Sequence, residues 1–221
     1  MNYYYMENQT STMSYDETKT DTINVDEKEN TIYFNAGVNP KSMSTLIEKL
    51  MLLESNILKK EKTLKRKFDE LEKSGVDNID QFDIKVKPKP IKLYITSNGG
   101  LIYQVFSTID TILGMKVPVH TICKGFVASA GTLLSLAGKK RLITENSYML
   151  IHELRSGSWG KFTHLAESYE NSKQLMDHIK KYYVKRTHMT AEELEEQLKK
   201  DVCWNAEMCL QKGLVDEIIK Y

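Results

Sequence analysis

From about residue 90 onwards, short apolar runs alternate with segments in which apolar residues recur every three or four positions. The runs predict buried strands at 91–95, 117–123, 141–144 and 149–152. The spaced segments predict helices at 102–112 and 128–137, and Gly125 is expected to turn the chain before the second of them. Because strands that alternate with helices form βαβ units, the pattern predicts an α/β fold around a largely parallel, buried sheet.

A short strand and a long helix are predicted before this region. Residues 31–34 form the strand candidate, and Pro40 opens a helix whose apolar spacing reaches Ile57 and Leu64, seven residues apart. Charged residues occupy the other helix faces, so residues 55–88 are predicted as a charged helical insert, either one long helix or two in series. The basic residues of this insert are interpreted as a solvated face.

The last third of the sequence is mostly helical. An apolar stripe over residues 162–183 predicts one long helix. Thr190 and Glu193 have the spacing of a capping box, which predicts the start of another helix. Asn205 predicts the N-cap of a final helix, and Gly213 predicts its end.

The first 30 residues have a different composition, with seven acids, two lysines and little apolar periodicity. Burial would not offset the entropy lost on ordering them, so residues 1–30 are expected to form a flexible acidic tail. A partner-contacting arm is the alternative. Ordered structure is expected to begin at Thr31, in a single domain over residues 31–221. The net charge of +1 gives no general electrostatic reason to expect nucleic acid or an anionic membrane as a partner.

Cysteine content and N-terminal pattern also indicate the cellular compartment in which the protein works. Cys123, Cys203 and Cys209 do not make a disulfide framework and are expected to be buried packing residues. The N-terminal residues lack the pattern of a signal peptide, and no apolar run approaches the ~18–20 residues that cross a bilayer. A cytoplasmic protein is therefore expected. No residue cluster has metal-ligand spacing, so neither a metal nor a cofactor is expected.

The segment GFVASAG, at 125–131, places Ser129 between a predicted strand and a predicted helix. Such a turn can hold the hydroxyl clear of the backbone and aim free helix N–H groups at the same point. A nucleophile needs that access, and the N–H groups can stabilise the oxyanion that forms. Packing of a small side chain is the competing interpretation.

Three further positions have the chemistry that such a serine requires. The turn at Gly99 and Gly100 follows a predicted parallel strand and can face Ser129, which would make the N–H groups of Gly100 and Ala130 a pair of donors. A simple strand-to-helix turn is the alternative. His152 ends an apolar strand, where an imidazole needs either a function or a structural partner. Asp201 ends a predicted helix and is a candidate for the acid that orients a base.

Four motifs, in this order and at this spacing, resemble the ClpP family, the proteolytic subunits of Clp proteases (peptidase family S14). They are TSNGG at 96–100, GFVASAG at 125–131, MLIH at 149–152 and GLVD at 213–216. Residues 31–53 are also similar to the family's first strand and helix. The resemblance implies the ββα-spiral fold shared with crotonases, with a protruding handle helix over residues 162–183.

The resemblance also implies a serine endopeptidase. In this family pattern Ser129 is the nucleophile, His152 the general base and Asp201 the acid. The oxyanion hole would be at Gly100 and Ala130.

The family further implies substrates and partners. Gly99, Gly157 and Ser158 are expected to bind substrate, which would be unfolded polypeptide or peptide. Family members form stacked heptameric rings around a chamber and work with an AAA+ unfoldase, which binds the ATP. The N-terminal tail and the insert at 55–88 depart from the family pattern.

Other functions stay open at this point. One is a catalytically inactive ring or assembly scaffold subunit. Another is a Ser–Lys peptidase of the same fold, with Lys139 or Lys140 as the base. A crotonase-type CoA enzyme is a more distant alternative.

Overall fold

The computed structural model describes residues 21–73 and 88–220. The strands are β1 (Thr22–Asp26), β2 (Thr31–Asn35), β3 (Ile91–Ser97), β4 (Val119–Ala128), β5 (Lys140–Thr144), β6 (Tyr148–Leu150), β7 (Trp204–Asn205) and β8 (Glu217–Ile219). The helices are α1 (Pro40–Lys73), α2 (Ile102–Gly114), α3 (Ala130–Ser135), α4 (Phe162–Arg186), α5 (Ala191–Leu198) and α6 (Ala206–Gln211).

These strands form one mixed sheet in the order β1-β2-β3-β4-β5-β8, with β6 paired to β4 and β7 paired to β6. The pairs β1–β2 and β6–β7 are antiparallel, and the other pairs are parallel. Ile91, Leu93 and Ile95 of β3 are fully buried, as expected of a strand covered by other elements. The predicted α/β fold with a largely parallel sheet is confirmed.

Strand β4 is the element that organises the site. Its first half pairs with β5 and its second half pairs with β6. Ile95 of β3 pairs with Cys123 of β4, but Ser97 pairs with Val127, so β4 has extra residues between these two pairs. Gly125 lies among them and has φ of +72°. The expectation that Gly125 turns the chain into a helix is therefore wrong. A glycine at a bulge bends a strand without ending it, and β4 continues to Ala128.

Helix α1 is continuous to Lys73, which agrees with one long helix rather than two in series. The apolar side chains of its first half are buried in the core: Met43, Leu46, Leu50, Leu53 and Ile57. The Glu54 carboxylate accepts hydrogen bonds from the backbone N–H groups of Lys116 and Val117, at 2.6 and 3.0 Å. Leu58 still packs against the core, whereas Leu64 is 45% exposed, so the helix leaves the body of the fold after Leu58. Residues 74–87 of the expected insert lie outside the described residues.

The chain enters the sheet earlier than predicted. Strand β1 pairs with β2 before Thr31, where ordered structure was expected to begin. The Asp21 carboxylate also accepts a hydrogen bond from the Gly37 N–H at 3.1 Å. The expectation of a tail up to residue 30 is therefore wrong for residues 22–30, because alternating apolar residues allow this segment to join the sheet edge. Residues 1–20 lie outside the described residues, and for them the tail stays a prediction.

The remaining elements agree with prediction in type and differ at their ends. Strand β6 ends at Leu150, so His152 lies beyond the strand. Helix α4 contains the predicted stripe, but only Ile179 and Tyr183 of this helix are buried and Phe162 is 84% exposed. Its N-terminal half therefore protrudes. The capping box of α5 and the Asn205 cap of α6 are both confirmed.

The two halves of α1 are expected to differ in their contribution to stability. Ile57→Ala removes a buried side chain and should lower the free energy of unfolding by about 2–4 kcal/mol. Leu64→Ala, one heptad further, should lower it by less than about 1 kcal/mol because Leu64 is already partly in water. Urea denaturation of the two variants measures the difference. Equal losses would show that the second half of α1 packs as closely as the first.

Candidate active site

Ser129 occupies a strained turn between β4 and α3. Its backbone has φ of +54° and ψ of −125°, a conformation that non-glycine residues rarely adopt. The Ser129 N–H donates a hydrogen bond to the Leu150 carbonyl oxygen at 2.9 Å, and the Thr132 N–H donates to the Ser129 oxygen at 2.9 Å. A sharp strand-to-helix turn of this kind lifts the serine hydroxyl above the end of the sheet.

A second turn, at the end of β3, lies directly against Ser129. A Cβ atom placed on Gly99 would be 2.6 Å from the Ser129 Cβ and 3.0 Å from the Ala130 nitrogen, so no larger residue fits there. The Gly99 oxygen accepts a hydrogen bond from the Val38 N–H, and the Leu101 N–H donates to the Val38 oxygen. This pairing uses neither N–H of the predicted donors, Gly100 and Ala130. The turn at Gly99 and the turn at Ser129 are thus in contact, as was predicted from their positions after parallel strands.

His152 follows the strand that is paired beside Ser129. Leu150 is opposite Ala128 in the β4–β6 ladder, so the next residues on both strands leave the sheet at the same edge. The His152 side chain is only 13% exposed, and its Nδ1 lies 3.4 Å from Oδ1 of Asp201. Among the carboxylates of the described residues, Asp201 is the only one within 4.0 Å of a histidine side chain, and that histidine is His152.

The acid is brought to His152 by a backbone contact. The Glu153 N–H donates to the Leu198 oxygen at 2.9 Å, which holds the end of α5 beside the histidine loop. Asp201 then faces His152 with Oδ1, while its Oδ2 accepts a hydrogen bond from the Arg155 guanidinium at 2.6 Å. Arg155 is a residue of the site that sequence reasoning missed. Its position three residues after His152, in a loop, is the signal available in the sequence.

The hydrogen bonding of His152 is incomplete. Its Nδ1 is buried and has no aligned hydrogen-bond partner, because the Asp201 oxygen is within range but outside hydrogen-bond geometry. In the described part of the chain, no hydrogen bond joins the Ser129 hydroxyl to His152 either. Catalytic hydrogen bonds are often long or poorly aligned before substrate binds. Burial and the Arg155 charge lower the pKa of His152, and the Asp201 and Glu153 charges partly oppose them.

The structure separates two alternative base candidates from Ser129. Lys140 pairs in register with His120, near the start of β4, and its ammonium group forms an ion pair with Glu217. Ser129 is nine residues after His120, beyond the other end of β4, which is roughly 30 Å along an extended chain at about 3.3 Å per strand residue. Lys139 precedes Lys140 at the same distant end. A Ser–Lys peptidase that uses either lysine is therefore contradicted by the sheet topology.

Other predicted residues have less support. Gly157 and Ser158 are exposed in an irregular segment before α4, and no hydrogen bond connects them to the site. Cys203 is exposed, which corrects the expectation that all three cysteines are buried. Cys123 and Cys209 are buried, and burial raises the pKa of each thiol to about 12.

Neither a metal-binding cluster nor a membrane-spanning helix occurs among the described residues, 21–73 and 88–220. They contain no group of three or more His, Cys, Asp or Glu side chains that could hold a metal ion. Nor do they contain a helix whose length and apolar character would let it cross a membrane.

The positive charge of Arg155 is expected to lower the pKa of His152. In Arg155→Met, the loss of the guanidinium should raise the pKa of His152, because a positive charge no longer opposes protonation and Asp201 is free to pair with the imidazole. Arg155→Lys keeps the charge and is the matched control. NMR titration of the histidine ring protons, with the His152 signal assigned from a His152→Gln variant, measures the shift. An unchanged pKa in Arg155→Met would contradict this electrostatic coupling.

A family model described as Clp protease matches residues 69–221 of this chain. The match includes the turns at Gly99 and Ser129, the His152 loop and Asp201. It does not include residues 31–53, for which the sequence also suggested a resemblance. Because the match covers more than half of the chain and the mixed sheet with its helices has the α/β fold expected of that family, the chain belongs to the Clp protease family of peptidases.

Proposed function

We propose that the protein is a serine endopeptidase of the ClpP type. One observation carries the proposal: the strained Ser129 turn and the His152–Asp201 pair lie at the same edge of the sheet, after the paired strands β4 and β6. Ser129 would be the nucleophile, His152 the general base and Asp201 the acid that orients the imidazole. The free N–H groups of Gly100 and Ala130 would stabilise the oxyanion.

Each step of the proposed reaction has a group to perform it. Ser129 Oγ attacks the peptide carbonyl carbon while its proton passes to Nε2 of His152. The peptide C–N bond breaks as His152 returns this proton to the leaving amine, which leaves an acyl-enzyme on Ser129. Water, deprotonated by His152, then cleaves the ester and regenerates the serine. The lowered pKa of His152 favours the neutral imidazole, which is the form that accepts a proton.

The substrate and the assembly follow from the family rather than from this site. We infer that unfolded polypeptides or peptides are cleaved inside a chamber of stacked heptameric rings in the cytoplasm, with an AAA+ unfoldase as partner. Gly99, Gly157 and Ser158 would lie along the substrate. The exposed aromatic side chains around the start of α4, Trp159, Phe162 and Tyr169, are available for contact with other subunits.

Ser129→Ala is expected to lower peptide hydrolysis by more than about 10³-fold, because the variant has no nucleophile. A fluorophosphonate probe should label the unaltered chain at Ser129 and fail to label this variant. Ser107→Ala, which removes an exposed hydroxyl on α2, is the matched control and should behave like the unaltered chain. Retained turnover in Ser129→Ala would point to another nucleophile.

A second candidate function is an inactive ring or scaffold subunit. The unaligned Nδ1 of His152 and the contact between Asp201 and Arg155 favour it, since a working triad needs an aligned His–Asp hydrogen bond. Light scattering and fluorophosphonate labelling on one sample separate the two functions. Rings of full size that neither take up the probe nor cleave peptides would support the scaffold.

A further inference from the structure

A chain of buried hydroxyl groups lies beneath the Ser129 turn. The Thr132 Oγ1 lies 2.6 Å from the Ser129 carbonyl oxygen and 2.5 Å from the Tyr183 hydroxyl oxygen. Thr132 is fully buried and Tyr183 is 2% exposed. Thr132 belongs to α3 and Tyr183 to the buried end of α4, so the chain connects the long helix to the candidate nucleophile.

The direction of these hydrogen bonds is fixed by chemistry. A carbonyl oxygen only accepts, so Thr132 must use its single hydroxyl proton to donate to Ser129. The short contact with Tyr183 then requires the phenol to donate to Thr132. Burial raises the pKa of the Tyr183 hydroxyl, which keeps the proton that this arrangement needs.

The acceptor at the end of this chain belongs to a particular peptide group. The Ser129 carbonyl and the Ala130 N–H are two ends of the same planar unit. A hydrogen bond to the oxygen therefore fixes the orientation of the N–H and polarises it, as neighbouring bonds in a chain do. In the proposed function, this N–H is one of the two oxyanion donors.

We propose that Thr132 and Tyr183 are positioning residues, which hold and polarise the Ser129–Ala130 peptide so that its N–H stabilises the oxyanion. This inference rests on the proposed peptidase function. Both side chains are buried beneath the turn, so they would act through the backbone of Ser129 and not by contact with the substrate. The Thr132 N–H also binds the Ser129 oxygen, so loss of the hydroxyl should weaken the donor without abolishing it.

Thr132→Val replaces the hydroxyl by a methyl group of similar size. We expect kcat for peptide hydrolysis to fall by about 3–30-fold with little change in KM, less than the ~10²–10³-fold typical of losing a whole oxyanion donor. Thr132→Ser keeps the hydroxyl and should restore most of kcat. Tyr183→Phe removes only the donor to Thr132 and should give a smaller fall, and it provides a second variant if Thr132→Val does not fold.

The matched control is Ser135→Ala. It removes another buried hydroxyl from α3, which donates to the Thr132 carbonyl oxygen at 2.7 Å and does not reach the Ser129 peptide. Its kcat should stay near that of the unaltered chain, although it should also lose stability. A kcat loss in Thr132→Val no larger than in Ser135→Ala would overturn the proposal.

Two inhibitors separate positioning from a general structural effect. A peptide aldehyde forms a tetrahedral adduct with a serine and therefore uses the oxyanion donors, whereas the matching peptide alcohol forms none. Thr132→Val should weaken the aldehyde by the same factor as kcat/KM and leave the alcohol unchanged. Equal weakening of both would overturn the inference. Failure of the unaltered chain to cleave peptides or to be labelled at Ser129 would instead refute the proposed function, and this inference with it.

Discussion

The site depends on one backbone conformation, the positive φ of Ser129. Such a conformation costs on the order of 1–3 kcal/mol and persists only where the surrounding structure determines it. Here the Leu150 oxygen accepts the Ser129 N–H, Thr132 binds the Ser129 oxygen twice, and Gly99 leaves room for the serine side chain. The Ser129 turn therefore requires glycine at position 99, although the two residues follow different strands. The parallel pairing of β3, β4 and β6 is what brings these contacts to one edge.

Much of this arrangement could be predicted because it follows from local patterns. Short apolar runs between helical segments indicated the strands. A serine among small residues after a strand indicated the turn at Ser129. Where prediction failed, tertiary structure overrode the local signal. Gly125 looked like a turn, but pairing with both β5 and β6 requires β4 to continue through it. Residues 22–26 alternate between apolar and polar as a strand does, and Ile23 and Val25 are partly buried. The acidic residues around this segment led instead to the prediction of a flexible tail.

The side-chain contacts of the site were harder to predict than its backbone. Thr132 and Tyr183 are 51 residues apart, and only the tertiary fold brings the end of α4 that holds Tyr183 to Thr132. Arg155 reaches Asp201 across 46 residues, and a loop arginine is usually a solvated residue. Cys203 was expected to be buried because its neighbours are apolar, but Val202 beside it is also exposed. Such contacts depend on tertiary positions, which periodicity does not encode.

The two sides of the candidate site differ in how firmly they are held. On the nucleophile side, Ser129 is half-buried above the buried Ala130 and Thr132, and hydrogen bonds of 2.6–2.9 Å hold the Ser129 peptide. The acid side is open: the Asp201 side chain is 56% exposed and the Arg155 side chain 72% exposed, so water weakens their ion pair to a contribution of about 0–1 kcal/mol. A small rotation of Asp201 towards Nδ1 of His152 would therefore need little free energy, while moving Ser129 would require breaking several buried bonds. The unaligned His–Asp contact is thus compatible with catalysis, because the part that must adjust is also the part that is least constrained.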